Sequence, residues 1–258
     1  MPESGDIAYS RHSGGASAAG RPPLILIHGA GGNRLFWPAR LRRLAAATVY
    51  ALDLPGHGQS PGAGRSTVEG YADAVVEWMR RVEIGRAIFA GHSMGGAVGL
   101  TLALLYPERV AGLALVASGG RLRVHPAILE QTAEPATIRQ AIDLVVEWSF
   151  SSAANRRLVE LAGKRMLASG GDVLHADFVA CDGFDVLARL GEVCCPTLVL
   201  CGSEDRMAPP RYAHALAEGI QPARLELIDG AGHMVMLERP EAVAEALTRF
   251  LGEIFPND

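Results

Sequence analysis

The feature that most constrains the fold of this chain is a regular alternation of short apolar runs with segments of helical periodicity. Segments with the pattern of amphipathic helices, such as Leu35–Ala47, Val68–Val82 and Pro240–Leu251, separate apolar runs whose composition is typical of strands buried on both faces. Six such runs recur: Leu24–Ile27, Val49–Leu52, Ala87–Ala90, Leu113–Val116, Thr197–Cys201 and Leu225–Ile228. Strands that alternate with helices predict an α/β domain with a mostly parallel sheet flanked by helices.

The alternation is interrupted between Gly119 and about Leu190. Helix-like patterns there, over Ile138–Phe150 and Asn155–Leu167, follow one another without a convincing strand between them. We expect a helical insertion between two strands of such a sheet to lie over one edge of the sheet as a cap. The sequence therefore predicts a core made of residues 1–119 and 190–258 and an inserted helical cap made of residues 120–189.

Composition excludes several classes of partner. Of the 258 residues, 49% are hydrophobic and 20% are charged, which is enough apolar material for a core. The 24 basic and 28 acidic side chains give a net charge of −4, so the chain lacks the basic surface that binds nucleic acid or an anionic membrane. The first six residues lack the basic and apolar regions of a secretory signal, and no apolar run is long enough to span a membrane. We expect a cytoplasmic protein with no nucleic-acid or membrane partner.

A Gly-x-Ser-x-Gly motif stands between a strand and a helix. Residues 91–96 read Gly-His-Ser-Met-Gly-Gly, directly after the run Ala87–Ala90 and at the start of the helical segment Ser93–Tyr106. A sharp turn at this place forces the serine into a strained backbone conformation, so the glycines two residues before and after it are needed for lack of bulk. The motif predicts that Ser93 projects from the end of the sheet as a nucleophile, beside helix N-terminal N–H groups that favour negative charge.

In this motif and its context the sequence resembles the α/β-hydrolase family, and in particular its serine esterases and enol-lactone hydrolases. The resemblance covers about residues 1–119 and 190–258, whereas the cap matches only in position and helical character. A second motif, His28-Gly29-Ala30-Gly31-Gly32, follows the strand after which the family carries its oxyanion loop. The resemblance implies that the backbone N–H groups of Ala30 and Met94 form an oxyanion hole, with two fixed donors for the charge of a tetrahedral intermediate.

A serine nucleophile needs a base within hydrogen-bond reach, and the base needs a carboxylate that orients it. Among the eight histidines, His233 stands in a glycine loop just past the last strand, where the resemblance places the general base. The acid is expected after the preceding strand, where Asp205 stands with Glu204 beside it. The order Ser93, Asp205, His233 matches that of the family. Two alternatives stay open: Asp205 as the cap of the following helix, and Glu204 as the acid, with Asp229 a secondary candidate.

Residues 53–60 read Asp-Leu-Pro-Gly-His-Gly-Gln-Ser and resemble the turn that follows the next strand in the family. The motif is interpreted as structural, because its glycines permit a tight turn beneath the site. This interpretation makes His57 a residue of the turn rather than a catalyst.

The identity of the nucleophile separates the activities of the family. Relatives that open epoxides or displace halide carry aspartate at the elbow, so Ser93 favours acyl transfer to water. The predicted function is that of a serine carboxylesterase-type hydrolase, which cleaves a small-molecule ester, lactone or thioester through an acyl-enzyme without metal or organic cofactor. Carbon–carbon bond hydrolases and cofactor-free haloperoxidases are similar, although His92 stands where the former commonly have Asn. An acyltransferase, or a non-catalytic ligand-binding protein of the same fold, is a further alternative.

Apolar side chains of the cap predict an enclosed pocket for a small to medium acyl or aromatic group. The candidate lining residues are Trp148, Phe150, Met166 and Phe178 in the cap, together with Trp37 just past the oxyanion loop. The alternative is that the cap residues form the core of the cap itself and that Trp37 packs beneath the pocket. The sequence predicts neither the physiological substrate nor the oligomeric state.

Overall fold

The computed structural model describes residues 3–255 except for residues 5–6, 16–17 and 19. The first six residues, for which the sequence predicts no secretory signal, therefore lie partly outside the described residues. The same holds for the outer ends of the two predicted core segments. The strands are β1 (Glu3–Ser4), β2 (Ile7–His12), β3 (Leu24–Ile27), β4 (Val49–Asp53), β5 (Ala87–His92), β6 (Val110–Val116), β7 (Thr197–Gly202) and β8 (Ala223–Ile228).

The helices alternate with these strands except in one long segment. They are α1 (Ala39–Arg42), α2 (Val68–Arg81), α3 (Met94–Leu105), α4 (Pro126–Ala133), α5 (Ile138–Ser149), α6 (Arg156–Leu167), α7 (Gly171–Gly183), α8 (Pro210–Gly219), α9 (Val235–Glu238) and α10 (Pro240–Ile254). No described helix combines the length and the apolar character that crossing a membrane requires.

The described strands form one sheet in the order β1-β2-β4-β3-β5-β6-β7-β8. Strands β3 to β8 pair in parallel, and β1 and β2 add an antiparallel edge. The predicted α/β architecture, with a mostly parallel sheet flanked by helices, is confirmed. In such a sheet the carboxyl ends of the parallel strands share one edge, where a site is normally built.

Both faces of the central strands are covered, so β3, β5, β6 and β7 are buried along their whole length, whereas the edge strand β8 is partly exposed and carries Arg224 and Glu226. Successive residues of a strand point to opposite faces, so Ile25 and Ile27 join one apolar cluster while Leu24 and Leu26 join the other. Helices α2, α3 and α8 contribute to the first cluster, and α1 and α10 contribute to the second. The two layers hold the strand ends rigidly beneath the site.

The helix predicted over Leu35–Ala47 is shorter in the structure. A 3-10 turn covers Arg34–Phe36, and α1 begins only after Pro38 and ends at Arg42. Proline disfavours the helical conformation of the residue before it, and Trp37 is accordingly extended, with φ −84° and ψ 113°.

The described segment between β6 and β7 contributes no strand to the sheet. It contains helices α4 to α7, followed by a 3-10 turn at Leu187–Glu192. Helices α4 and α7 carry no clear pattern in the sequence, and α7 begins at a glycine. The segment has a small apolar cluster of its own: Ile128, Ile142, Val145, Met166, Leu174 and Phe178.

Candidate active site

Ser93 lies in the turn between β5 and α3 in a strained conformation. Its backbone has φ 52° and ψ −117°, a region that residues other than glycine rarely occupy. Two hydrogen bonds hold it there: the Ser93 N–H donates to the carbonyl of Val116 at 2.9 Å, and the Ser118 hydroxyl donates to the Ser93 carbonyl at 2.8 Å. The predicted strand–turn–helix context of the serine is present.

The two glycines of the motif are needed because backbone approaches them closely. A Cβ on Gly95 would lie 2.4 Å from the carbonyl oxygen of Ile27, and a Cβ on Gly91 would lie 2.1 Å from the carbonyl oxygen of Gly95. Neither contact can be relieved by moving a side chain, since both neighbours are backbone. The spacing of the motif therefore follows from packing of the turn against β3 and against itself.

His233 and Asp205 form a buried pair at the carboxyl ends of β8 and β7. The Nδ1 of His233 lies 2.9 Å from Oδ2 of Asp205, and each residue is 4% exposed. The other carboxylate oxygen, Oδ1, accepts hydrogen bonds from the N–H groups of Met207 and Ala208, both at 2.8 Å. These donors precede α8, which begins at Pro210, so Asp205 fixes its own loop and orients His233 rather than capping that helix.

The neighbouring carboxylates are engaged away from His233. Glu204 is exposed, and its Oε2 faces the N–H of Ser152 at 3.4 Å. Asp229 accepts a hydrogen bond from the Ser203 hydroxyl at 3.1 Å. Of the three acids considered from the sequence, Asp205 is the one that the structure brings to His233.

A cavity of about 290 Å³ brings the predicted residues together. Ser93, His233 and Ala30 line it, and Trp148 and Phe178 of the cap lie on its wall. The structure corrects the expectation for the other three predicted lining residues, which lie elsewhere: Trp37, Phe150 and Met166. Trp37 and Phe150 belong to the apolar cluster on the α10 face of the sheet, and Met166 belongs to the core of the cap.

Of the two candidate oxyanion-hole residues, Ala30 lines the cavity together with Ser93, and Met94 directly follows Ser93 as the first residue of α3. Within the described residues, the N–H groups of Ala30 and Met94 donate to no protein acceptor, and the Ser93 hydroxyl makes no hydrogen bond. Catalytic hydrogen bonds are often long in a protein without substrate and tighten once substrate binds. The Ser93 hydroxyl and these N–H groups are the kinds of group that an acyl-transfer site requires.

A protein-family model matches most of the chain. The family model described as "Alpha/beta hydrolase family" matches residues 24–246. The chain belongs to the alpha/beta hydrolase family. Membership confirms the fold predicted from the sequence and, at the coarser level, a hydrolase of this family.

Individual relatives of the family differ in what their names say. The chain is 33% identical, over 90% of its length, to a dihydrolipoyllysine-residue acetyltransferase component of an acetoin cleaving system from Pseudomonas putida, but spans 64% of that longer protein. It is 30% identical to a putative carbamate hydrolase, RutD, from Rhizobium rhizogenes, covering 88% of this chain and 92% of that one. The solved structure of a thermophilic esterase is 33% identical with a TM-score of 0.83, and covers 96% of this chain and 99% of its own.

The sequence analysis missed Asp177, a completely buried carboxylate in α7 of the cap. Its Oδ2 accepts the N–H of Gly31 at 2.7 Å and lies 2.8 Å from Nε2 of His57, while its Oδ1 accepts the Tyr71 hydroxyl at 2.5 Å. The Ser169 hydroxyl donates to the carbonyl of Gly31 at 2.9 Å. Both polar groups of Gly31, beside Ala30, are therefore held by the cap. Helix α7 carries three aspartates, Asp172, Asp177 and Asp182, and nothing in the local sequence distinguishes Asp177 from the other two.

The surroundings of His57 favour its protonated form. Burial opposes the charge, but the attraction of Asp177 and the hydrogen bond to it outweigh burial, so the pKa of His57 is raised. Both ring nitrogens face acceptors, since Nδ1 lies 3.0 Å from the carbonyl oxygen of Pro55. His57 is absent from the residues that line the cavity, as expected for a residue of the turn.

His92, next to Ser93 in the sequence, supports the loop that carries His233. It is 2% exposed, and its Nε2 donates to the carbonyl of His233 at 3.0 Å. Burial, reinforced by His233, lowers the pKa of His92 well below its ordinary value, so the ring is neutral and holds one proton. The position of His92 beside Ser93 is visible in the sequence, but its hydrogen-bond partner, His233, lies 141 positions further along the chain and could not be predicted from it.

The described residues offer no cluster of three or more His, Cys, Asp or Glu side chains arranged to hold a metal ion. The absence of a cofactor stays a prediction from the sequence.

Proposed function

We propose that this protein is a serine hydrolase that cleaves a carboxylic ester or lactone of a small to medium substrate through an acyl-enzyme on Ser93. The observation that carries the proposal is the shared cavity of Ser93 and His233, in which the imidazole is oriented by Asp205 at 2.9 Å. The esterase neighbour supports the reaction class.

The mechanism follows from the positions of the groups. His233 takes the proton of Ser93 through Nε2, because its Nδ1 faces Asp205, and Ser93 attacks the carbonyl carbon of the substrate. The N–H groups of Ala30 and Met94 stabilise the negative oxygen of the tetrahedral intermediate, which collapses and releases the alcohol with a proton from His233. Water, activated by His233, then hydrolyses the acyl-enzyme.

The cavity supports a substrate with an apolar acyl or aromatic portion. Ile128, Trp148, Phe178 and Met207 provide apolar wall on the cap side and beside the loop after β7. A carbamate would present its carbonyl in the same way, and an alcohol or thiol could replace water as acceptor. The names of the carbamate hydrolase and acetyltransferase relatives favour including both reactions in the test.

The experiment is hydrolysis of 4-nitrophenyl esters from acetate to dodecanoate, with an aryl carbamate and a lactone in parallel. Ser93→Ala and His233→Ala are expected to lower kcat by up to about 10⁶-fold, because nucleophile and base act as a unit. Ser152→Ala, at an exposed serine of the cap, is the matched control and is expected to retain full activity. Added alcohol or thiol distinguishes hydrolysis from acyl transfer by the product ratio.

Labelling of Ser93 by an organophosphonate, followed by mass spectrometry, checks the nucleophile independently of substrate choice. Undiminished ester hydrolysis by Ser93→Ala would refute the proposal. A wild-type protein that is neither active on any of these substrates nor labelled would favour the non-catalytic ligand-binding alternative.

A further inference from the structure

The outer part of the cavity at Ser93 is lined by arginine. Arg123 follows β6, Arg206 follows the aspartate of the β7 loop, and Arg211 lies in the first turn of α8. All three are exposed, whereas Ser93 and His233 lie deeper in the cavity. Two segments of the chain, one after β6 and one after β7, thus place three guanidinium groups at one mouth, although the chain as a whole carries a net charge of −4.

These arginines have no carboxylate partner in the described part of the chain. Arg123 donates to the backbone carbonyl of Asp182 at 3.3 Å, and Arg206 donates to the backbone carbonyl of Glu147. The Arg211 guanidinium stacks over the ring of Tyr212 at 5.1 Å. None of the described residues that line the cavity is acidic. Three positive charges therefore face the entrance without neutralisation by a lining residue.

Arginines on the rest of the surface are commonly paired. Arg81 lies 3.0 Å from Glu77, Arg189 lies 2.8 Å from Glu192, and Arg249 lies 2.8 Å from Glu226. Asp182, whose backbone carbonyl accepts the hydrogen bond from Arg123, uses its carboxylate elsewhere: its Oδ1 accepts a hydrogen bond from the N–H of Val124 at 3.1 Å. Among the described residues, the three arginines at the mouth thus lack the carboxylate partner that these surface arginines have, and they differ from an unpaired arginine such as Arg157 because they line one cavity.

We propose that the substrate carries a carboxylate group, separated from the scissile carbonyl by an apolar portion, and that Arg123, Arg206 and Arg211 bind it. The inference rests on the proposed function and names the substrate class of the same site. Guanidinium binds carboxylate through two parallel hydrogen bonds, and the apolar wall between mouth and nucleophile suits the connecting portion. A half-ester of a dicarboxylic acid and a lactone with a carboxylate side chain both satisfy this description.

The test compares two esters that differ only in charge. The mono-4-nitrophenyl ester of adipic acid carries a terminal carboxylate, and 4-nitrophenyl adipamate carries a neutral carboxamide of the same shape. We expect wild-type kcat/KM to be about tenfold higher for the carboxylate, a preference worth roughly 1.4 kcal/mol. High ionic strength is expected to reduce the preference, because the arginines are exposed to solvent.

The variants are Arg123→Gln, Arg206→Gln, Arg211→Gln and the triple substitution. The triple variant is expected to bring the carboxylate-to-carboxamide ratio of kcat/KM to about one, through a higher KM for the carboxylate ester. The matched control is Arg157→Gln in α6, an exposed arginine outside the cavity, which should retain the wild-type ratio.

The outcomes separate this inference from the proposed function. If both esters are cleaved equally and Ser93→Ala abolishes both activities, the serine hydrolase proposal stands and the carboxylate inference is overturned. If a preference exists but survives the triple substitution, the arginines are not its cause and the inference is also overturned. If neither ester is cleaved and Ser93 resists the organophosphonate, the proposed function fails and this inference fails with it.

Discussion

The carboxylate of Asp177 lies 2.8 Å from the imidazole of His57, and both side chains are completely buried. The two residues are 120 positions apart, one in the last cap helix and the other in the turn after β4. Because the same carboxylate also binds the N–H of Gly31, the pair joins the cap to the loop that carries Ala30. Removing either partner would leave a buried group without its counter-charge.

Substitution of Asp177 tests how much its contacts with His57 and Gly31 contribute to the free energy of unfolding. We expect Asp177→Asn to lower the free energy of unfolding by about 3 kcal/mol, because a buried charge loses its partner. Urea denaturation followed by circular dichroism measures the change. Asp172→Asn is the matched control, since Asp172 is an exposed acid of the same helix, and an equal loss in both variants would contradict the prediction.

The same pair predicts a pH dependence of stability. The folded pKa of His57 is raised above its ordinary value of 6.5, so its contribution is fully present below about that pH and is lost as pH rises through the folded pKa. The difference in free energy of unfolding between wild type and His57→Gln should therefore shrink from slightly acidic to alkaline pH. Denaturant titrations over that range measure it, and a difference that grew with pH would show that the folded pKa is lowered.

Two adjacent acids in the loop after β7, Glu204 and Asp205, allow a test of which carboxylate orients the imidazole of His233. Asp205→Asn is expected to lower kcat by about 10⁴-fold, because an amide N–H facing Nδ1 would hold His233 in the wrong tautomer. Glu204→Gln, one position earlier and exposed, is expected to leave kcat within about twofold. Steady-state kinetics on the best ester measures both. A larger loss in the Glu204 variant would transfer the role of acid to Glu204.

The hydrogen bond from His92 to the His233 carbonyl predicts a supporting role for His92. We expect His92→Phe to lower the free energy of unfolding by about 1–3 kcal/mol, because a buried carbonyl loses its donor. His92→Gln retains an N–H donor and is expected to lose less stability and less kcat. Thermal unfolding and ester kinetics measure the two variants, and equal losses would show that ring packing matters rather than the hydrogen bond.

Local patterns were sufficient to predict the fold and the turn that carries Ser93. Apolar runs predicted the six parallel strands, because burial on both faces demands apolar residues in the central ones; the edge strand β8 is only partly buried and includes Glu226. The glycine spacing around Ser93 predicted the strained turn, because steric limits on the backbone act between residues close in sequence. The roles expected for Ala30 and His233 were implied by the resemblance to the family, and both residues stand just past strand ends, where loops of a parallel sheet share one edge.

Only the tertiary structure decided which of several chemically equivalent side chains reach the site. Glu204 and Asp205 are neighbours in the sequence, but only the direction of each side chain shows that Asp205 meets His233. Trp37 and Trp148 are equivalent pocket candidates in the sequence. In the structure Trp37 packs into the apolar cluster on the α10 face of the sheet, whereas Trp148 lines the cavity. Asp177 has no local motif at all. Such contacts join residues far apart in sequence, so they depend on how the helical segment between β6 and β7 packs against the sheet. The periodicity of either segment does not predict that packing.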